Sequence, residues 1–162
     1  LNMIKNSKNM MLDRVDKSLL RALQLDGRLS NVQLAKKISL SPPATHSRLK
    51  RLEKDGYIRQ YAAVVDRDKA GYDLLCFIHI SLQMHKVEQV EKFREATRRM
   101  PEVLECHHIT GEHDYLLKVV LKNRKDLERF VVDKITPIPG VARIQTSLVL
   151  TEVKATMALP LE

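Results

Sequence analysis

Apolar and polar positions alternate with two different periods along the chain. From Leu12 to Gly56 apolar residues recur every three or four positions, the spacing of one helix face. Leu12–Asp26 reads as a first helix, with Asp13 as its cap, Asp16 supporting its first turn and Gly27 stopping it. Val15, Leu19, Leu20, Ala22 and Leu23 form its buried stripe. Ser30 suits the N-cap of a second helix, and Gln33 stands three residues on, the capping-box spacing. Val32, Ala35 and Ile38 give that helix its apolar stripe, and Ser39, Leu40 and Ser41 break it. Ser41 caps a third helix, Pro42 suits its first position and Gly56 its end. In this helix Thr45, Leu49 and Leu52 face inward, while Ala44, Ser47, Arg48 and Arg51 share another face.

Tyr57–Asp66 is rich in β-formers and reads as a wing or a connecting strand. Arg67–Gly71 is polar and ends in glycine, so the domain boundary is placed there, with 57–71 as wing and linker. Beyond it the period falls to two. Leu74–Leu82 puts Leu74, Cys76, Ile78, Ile80 and Leu82 on one strand face. Val87–Met100 is helical, with Val87, Val90, Phe93 and Thr97 inward. Val103–Thr110 and Asp114–Lys122 are strands joined by Gly111, Glu112 and His113, expected to pair antiparallel. A helix over Asp126–Ile135, with Leu127, Phe130, Val131 and Ile135 inward, precedes a long strand over Val141–Val153. The order βαββαβ is the ferredoxin-like split arrangement, with helices on one sheet face. Leu75, Phe77 and Leu117 are then expected on the bare face, which invites a second copy of the chain.

Charge sharpens this division. The net charge is +8, and residues 1–65 hold 13 Lys/Arg against 5 Asp/Glu, while residues 66–162 hold 15 of each. A cationic head and a neutral body point to a polyanion-binding part and a part with another task. Hydrophobic residues make up 44% and charged residues 30%, which marks a globular protein. No apolar run approaches the ~20 residues of a membrane span. Residues 1–11 lack the apolar run of a signal peptide and read as a mobile tail. Cys76 and Cys106, both in apolar strand runs, read as buried thiols in a reducing cytoplasm. A three-helix core of this size is marginal alone, so the head should lean on the rest of the chain or on a partner.

Two helices joined by a tight turn, the second carrying small residues at its start and arginines further along, make a helix–turn–helix with a basic recognition helix. An ordinary helical hairpin with a solvated basic face is the other reading of that segment, and the charge distribution favours the first. Pro43, Ala44, Ser47 and Arg48 are the candidate base-readers, with Arg48 suited to pair with a guanine edge. Lys50, Arg51, Lys54 and Arg28 are better suited to phosphates. In the body, the Thr110–Gly111–Glu112–His113 turn can present backbone N–H groups to a carboxylate, and Asp114 can accept from an ammonium. A plain hairpin turn with Asp114 as a local cap is the simpler reading of those residues. Cys106, His107, His108 and His113 have no paired metal-ligand spacing, so no metal site is read there. Nucleophile-elbow, phosphate-loop and dinucleotide motifs are absent, and no catalytic role is assigned. With 4% aromatic residues and no Trp, the composition argues against a base-stacking RNA platform.

The chain resembles the Lrp/AsnC, or feast/famine, regulators. LDRVDKSLLRALQLDGRLSNVQLAKKISLSPPATHSRLKRLEKDGYI carries the N-terminal likeness, and ECHHITGEHDYLLKVV followed by PGVARIQTSLVLTEVK carries the C-terminal one. The likeness spans about residues 12–157. It implies an α/β two-domain bacterial or archaeal regulator. Residues 12–56 would be a winged helix–turn–helix, and 72–162 a ferredoxin-like sensor of the RAM type that dimerises through its sheet. Dimers would assemble to an octamer or similar ring on duplex DNA in the cytoplasm, associated with the nucleoid. The resemblance also implies an amino-acid effector, leucine or methionine, held between neighbouring copies and no other cofactor. It turns the Gly111 motif into an effector site with His108, Thr110, Glu112, His113 and Asp114, joined by Thr136, Thr146, Ser147 and Leu148 from a neighbouring copy. His107, His108 and Ser147 depart from the family pattern beside that turn. An architectural DNA-coating protein, its C-terminal half serving only assembly, is the other function class.

Overall fold

The computed structural model describes residues 11–83 and 87–162, so the expected tail lies outside it apart from Met11. Two compact units result. One runs to Val64 and also takes in Lys154–Glu162; the other is Val65–Val153.

The first unit is built on α1 (Arg14–Leu25), α2 (Asn31–Ile38) and α3 (Pro42–Lys54). Each start is fixed by a side chain that satisfies an orphan backbone donor. Asp13 Oδ1 accepts the Asp16 N–H at 2.7 Å, and Asp16 Oδ2 accepts the Asp13 N–H at 3.2 Å. Ser30 and Gln33 form the same reciprocal box on α2, and the Ser41 hydroxyl accepts from the Ala44 N–H. Ser39 ends α2 in the left-handed conformation, at φ 55°. Leu19, Leu20, Leu34 and Leu52 form the core, and Thr45 is also buried. The expected α2 stripe is corrected: Val32 is 66% exposed, and Leu34, two positions on, takes the inward place.

The chain's last residues complete this unit. Leu161 packs on the leucine core. The Gln24 amide donates to the Leu159 carbonyl at 3.1 Å while its oxygen accepts the Leu159 N–H at 2.6 Å. Arg21 donates to the Leu161 carbonyl. Residues Lys154–Glu162, placed by the sequence in the 72–162 body, pack here with the helices. The expected strand over Tyr57–Asp66 is corrected, since no strand forms between Tyr57 and Asp73. Tyr61 instead donates its hydroxyl to Glu53 at 3.0 Å, tying this segment back onto α3.

In the second unit β1 (Leu74–Leu82), β2 (Val103–His108), β3 (Tyr115–Leu121) and β4 (Val141–Leu148) form one antiparallel sheet in the order β2-β3-β1-β4. Two helical segments cover one face: α4 (Val87–Arg98), and α5 (Arg124–Arg129) with its π-helical continuation Phe130–Ile135. The π turn has a purpose in packing. Five residues advance an α-helix about 140° past a full turn, which would splay Phe130 from Ile135. The wider turn lets both reach the core, at 1% and 0% exposure. Cys76, Ile78, Ile80, Phe93, Tyr115, Leu117 and Val119 complete that core. Strand β4 stops at Leu148 rather than Val153; one further ladder bond follows, from the Val149 N–H to the Leu75 carbonyl at 2.9 Å, and β1 begins one residue before that, at Leu74. Val87 is 79% exposed rather than inward.

The opposite sheet face differs from expectation. Leu117 pairs with Ile78 and lies on the helix side, fully buried. Leu75 and Val120 pair across that face and are themselves buried, with Phe77 and Leu116 half-buried beside them. Toward its other end the face turns polar, through His79, Ser81, Gln145 and Arg143. It is a mixed surface rather than a bare apolar one.

Candidate DNA interface and effector turn

Helix α3 separates its polar residues into two groups. Pro43, Ala44, His46, Ser47, Lys50 and Lys54 are exposed. Pro43, Ser47, Lys50 and Lys54 follow one another at i, i+4, i+7 and i+11, so they form one stripe. Lys50 reaches Glu53 at 3.2 Å but keeps a side chain 64% exposed. That bond, and the Tyr61 hydroxyl, hold the Glu53 carboxyl below its ordinary range. Burial, with the Glu53 contact, pushes the Tyr61 phenol up to about 12. His46 was missed by sequence reasoning. Counting three residues on from Pro43 would have found it.

Arg48 and Arg51 form the second group and require a correction. They do not stand free on the outer face with Ser47. Arg48 Nη1 donates to Asp13 Oδ2 at 2.6 Å and to Asp16 Oδ1 at 2.9 Å. Arg51 Nη2 meets the same Asp16 oxygen at 2.5 Å. Asp16 is 1% exposed, so a buried carboxylate is neutralised by two guanidiniums reaching across from α3 to α1. The Asp16 N–H and Arg48 together depress the Asp13 carboxyl, and the two aspartates raise Arg48. Periodicity put Arg48 and Arg51 on a shared face correctly; only the packing of α1 shows that this face is partly internal. Arg28 is exposed beyond α1, its N–H held by the Asp26 carboxylate at 2.9 Å.

In the second unit, Gly111 takes φ 120°, a conformation that favours glycine, and turns the chain between β2 and β3. Asp114 stitches this turn to the end of β1: its carboxylate accepts the Leu82 N–H at 2.7 Å, and its own N–H donates to the Ile80 carbonyl. His113 Nδ1 lies 3.1 Å from the Ser81 hydroxyl, and Glu112 pairs with Arg143 at 2.7 Å. The His79 and His113 rings are 5.0 Å apart, and His79 Nδ1 is shielded from solvent with no hydrogen-bond partner among the described residues. His79, Ser81 and Arg143 were missed. The alternation along β1 already put His79 and Ser81 opposite the core residues.

The remaining expected effector residues do not gather there. Thr110 precedes the turn glycine and is exposed. His108 stacks on Tyr115 with centroids 4.9 Å apart, on the helix side of the sheet. Thr136 donates its hydroxyl to its own helix at the Val131 carbonyl, 2.8 Å away. Thr146 and Leu148 pair with Ile78 and Cys76 and face the helix side, whereas Ser147 pairs with Phe77 on the opposite side. Leu148 also pairs six residues from the Leu82 N–H that Asp114 holds, roughly 20 Å along the strand. Within one chain these ten residues do not line one cavity. Cys106 is exposed rather than buried, because β2 is an edge strand that α4 only partly covers. His107 turns to Glu105 at 2.9 Å, away from Cys106 and His108. Among the described residues no three His, Cys, Asp or Glu side chains come together to hold a metal ion, and no helix is long and apolar enough to cross a membrane.

Known proteins carry the same two-part plan. The family model for the Lrp/AsnC ligand binding domain matches residues 75–159, and one for winged helix-turn-helix DNA-binding matches residues 12–59. The transcriptional regulator AzlB of Bacillus subtilis is 37% identical over 152 residues, covering 94% of this chain and 97% of that protein. The leucine-responsive regulatory protein of Escherichia coli is 36% identical over 143 residues, with 88% and 87% covered. A transcriptional regulator of Neisseria meningitidis, solved as an L-Met complex, superposes with a TM-score of 0.90 at 40% identity, covering 93% of this chain and 97% of that one. E. coli AsnC superposes with a TM-score of 0.84 at 26% identity, covering 91% and 98%. These relatives are regulators rather than enzymes, and the chain belongs to the Lrp/AsnC family of transcriptional regulators, with a helix–turn–helix DNA-binding domain and a ligand-binding domain.

Proposed function

We propose that this chain is a sequence-specific DNA-binding regulator whose assembly or DNA affinity responds to methionine or leucine. The observation that carries the DNA half is the exposed stripe Pro43, Ser47, Lys50 and Lys54 along α3. Small residues at the helix start allow close approach to base edges, and lysines further along meet phosphates. Arg28 adds a cation at the start of α2. Lys50→Ala is expected to weaken binding uniformly across sequences and to lower the salt slope by about 1. An unchanged slope removes Lys50 from the interface.

The effector is an amino acid taken up where the Gly111 turn of one copy meets Thr146 and Leu148 of a neighbour. The separation of these groups within one chain supports a shared site, and the L-Met complex of the Neisseria relative supports methionine. The protein then works as a homodimer, with dimers assembling to an octamer or similar ring, at the nucleoid in the cytoplasm. Calorimetry with each of the twenty amino acids, L-Met and L-Leu first, tests the sensor reading. Silence from all of them at millimolar levels ends it.

One observation favours the second function class. With Arg48 held by aspartates, few side chains at the start of α3 remain to read bases by hydrogen bonds, chiefly Ser47 and His46. An architectural DNA-coating protein needs no more than that. Competition between the chain's own upstream DNA and random duplex separates the two: equal competition favours coating.

A further inference from the structure

We propose that Asp13 is an internal anion that competes with DNA phosphate for the Arg48 guanidinium, and so sets how tightly the head holds a duplex. This rests on the DNA-binding reading above.

The two carboxylates that Arg48 meets are not equivalent. The Asp16 side chain is 2% exposed and also takes Arg51. The Asp13 side chain is 48% exposed, and Arg48 itself keeps 31%. An inner pair, Arg51 with Asp16, can therefore hold α3 to α1 whichever anion Arg48 takes. The outer pair faces water, where an ion pair contributes little and exchanges readily. A phosphate oxygen offers the guanidinium the same kind of acceptor as a carboxylate. Arg48 directly follows Ser47, a member of the exposed stripe, so it sits at the margin of the surface assigned to DNA.

Asp13 divides its oxygens between two tasks. Oδ1 caps α1 by accepting the Asp16 N–H, and Oδ2 takes Arg48. Asparagine caps a helix about as well as aspartate but carries no charge, so Asp13→Asn separates the tasks.

Phosphate contacts carry no sequence information, so a fluorescein-labelled random-sequence duplex serves as the probe. Anisotropy is measured with the full chain between about 50 and 200 mM salt for wild type, Asp13→Asn, Arg48→Gln and the double variant, with circular dichroism on each. Asp13→Asn is expected to bind about 3–10-fold more tightly at the lowest salt, the gain shrinking as salt rises. In the Arg48→Gln background the same change is expected to gain nothing. A purely structural ion pair would give no tightening, and that result overturns the proposal. So does a gain that survives Arg48→Gln, since it would reflect overall charge and not Arg48. If Asp13→Asn loses helix signal, Asp13→Ser, another capping residue, takes its place. Wild type that fails to bind duplex at low salt strikes the DNA-binding reading itself, whereas bound wild type with an unaltered Asp13→Asn strikes this proposal alone.

Discussion

The two units are held together by different physics. The body, Val65–Val153, has a continuous apolar core in which Phe93, Phe130, Ile78, Leu117 and Ile135 are each 1% exposed or less. The head has four core leucines, and around them it relies on two capping boxes, the Asp16–Arg48–Arg51 cluster and the docked residue Leu161. A small helical core buries too little surface to be secure by itself, so polar devices and a borrowed segment make up the difference. The head should therefore respond to charge, pH and truncation, and the body to cavities.

Core truncation gives the largest expected effect. Phe93→Ala should cost about 3–5 kcal/mol and Leu52→Ala about 2–5 kcal/mol, each lowering its own unit's transition. Calorimetry that shows both variants shifting one common transition by equal amounts would erase the distinction. Next comes Asp16→Asn, expected to cost about 1.5–3 kcal/mol through its charged hydrogen bonds. The loss should appear in urea unfolding of the helices, with the sheet transition unmoved. Leu161→Ala and Ser30→Ala are each expected to cost about 1 kcal/mol, the first through lost burial and the second through a lost cap. A head that is indifferent to Leu161→Ala does not use the C-terminal residues.

The smallest effect is the acid response of Asp13. The Asp16 N–H and Arg48 hold its carboxyl below the ordinary value of about 3.9. A depressed folded-state value means a contribution fully present above the unfolded value, and lost as pH falls through the folded one. The head's melting temperature should thus hold above about pH 4 and fall below it, more shallowly in Asp13→Asn. Equal slopes in both proteins would remove Asp13 from the acid response.

Much of this organisation was legible in the residues. Local hydrogen bonding encodes the caps Asp13, Ser30 and Ser41, and each forms as its spacing predicts. Strand β1 occupies Leu74–Leu82, because period-two alternation is itself the physical signature of a sheet with one buried face. Errors fell where a second element decides the outcome. Leu117 belongs to the core because of its pairing with Ile78. Tyr57–Asp66 has β-forming residues, yet no sheet edge pairs with it. Of the expected DNA residues, Pro43, Ala44, Ser47, Lys50, Lys54 and Arg28 are exposed, while Arg48 and Arg51 turn toward α1.

The sequence by itself determined the elements, their order, the cationic head and the neutral body, because caps, periodicity and charge are properties of neighbouring residues. Only the tertiary structure decided which anion each arginine faces, which unit owns the C-terminal residues and how far Leu148 lies from the Gly111 turn. Those depend on residues distant in sequence brought within hydrogen-bonding reach, Asp16 with Arg48 and Gln24 with Leu159 among them, and no local pattern encodes such distances.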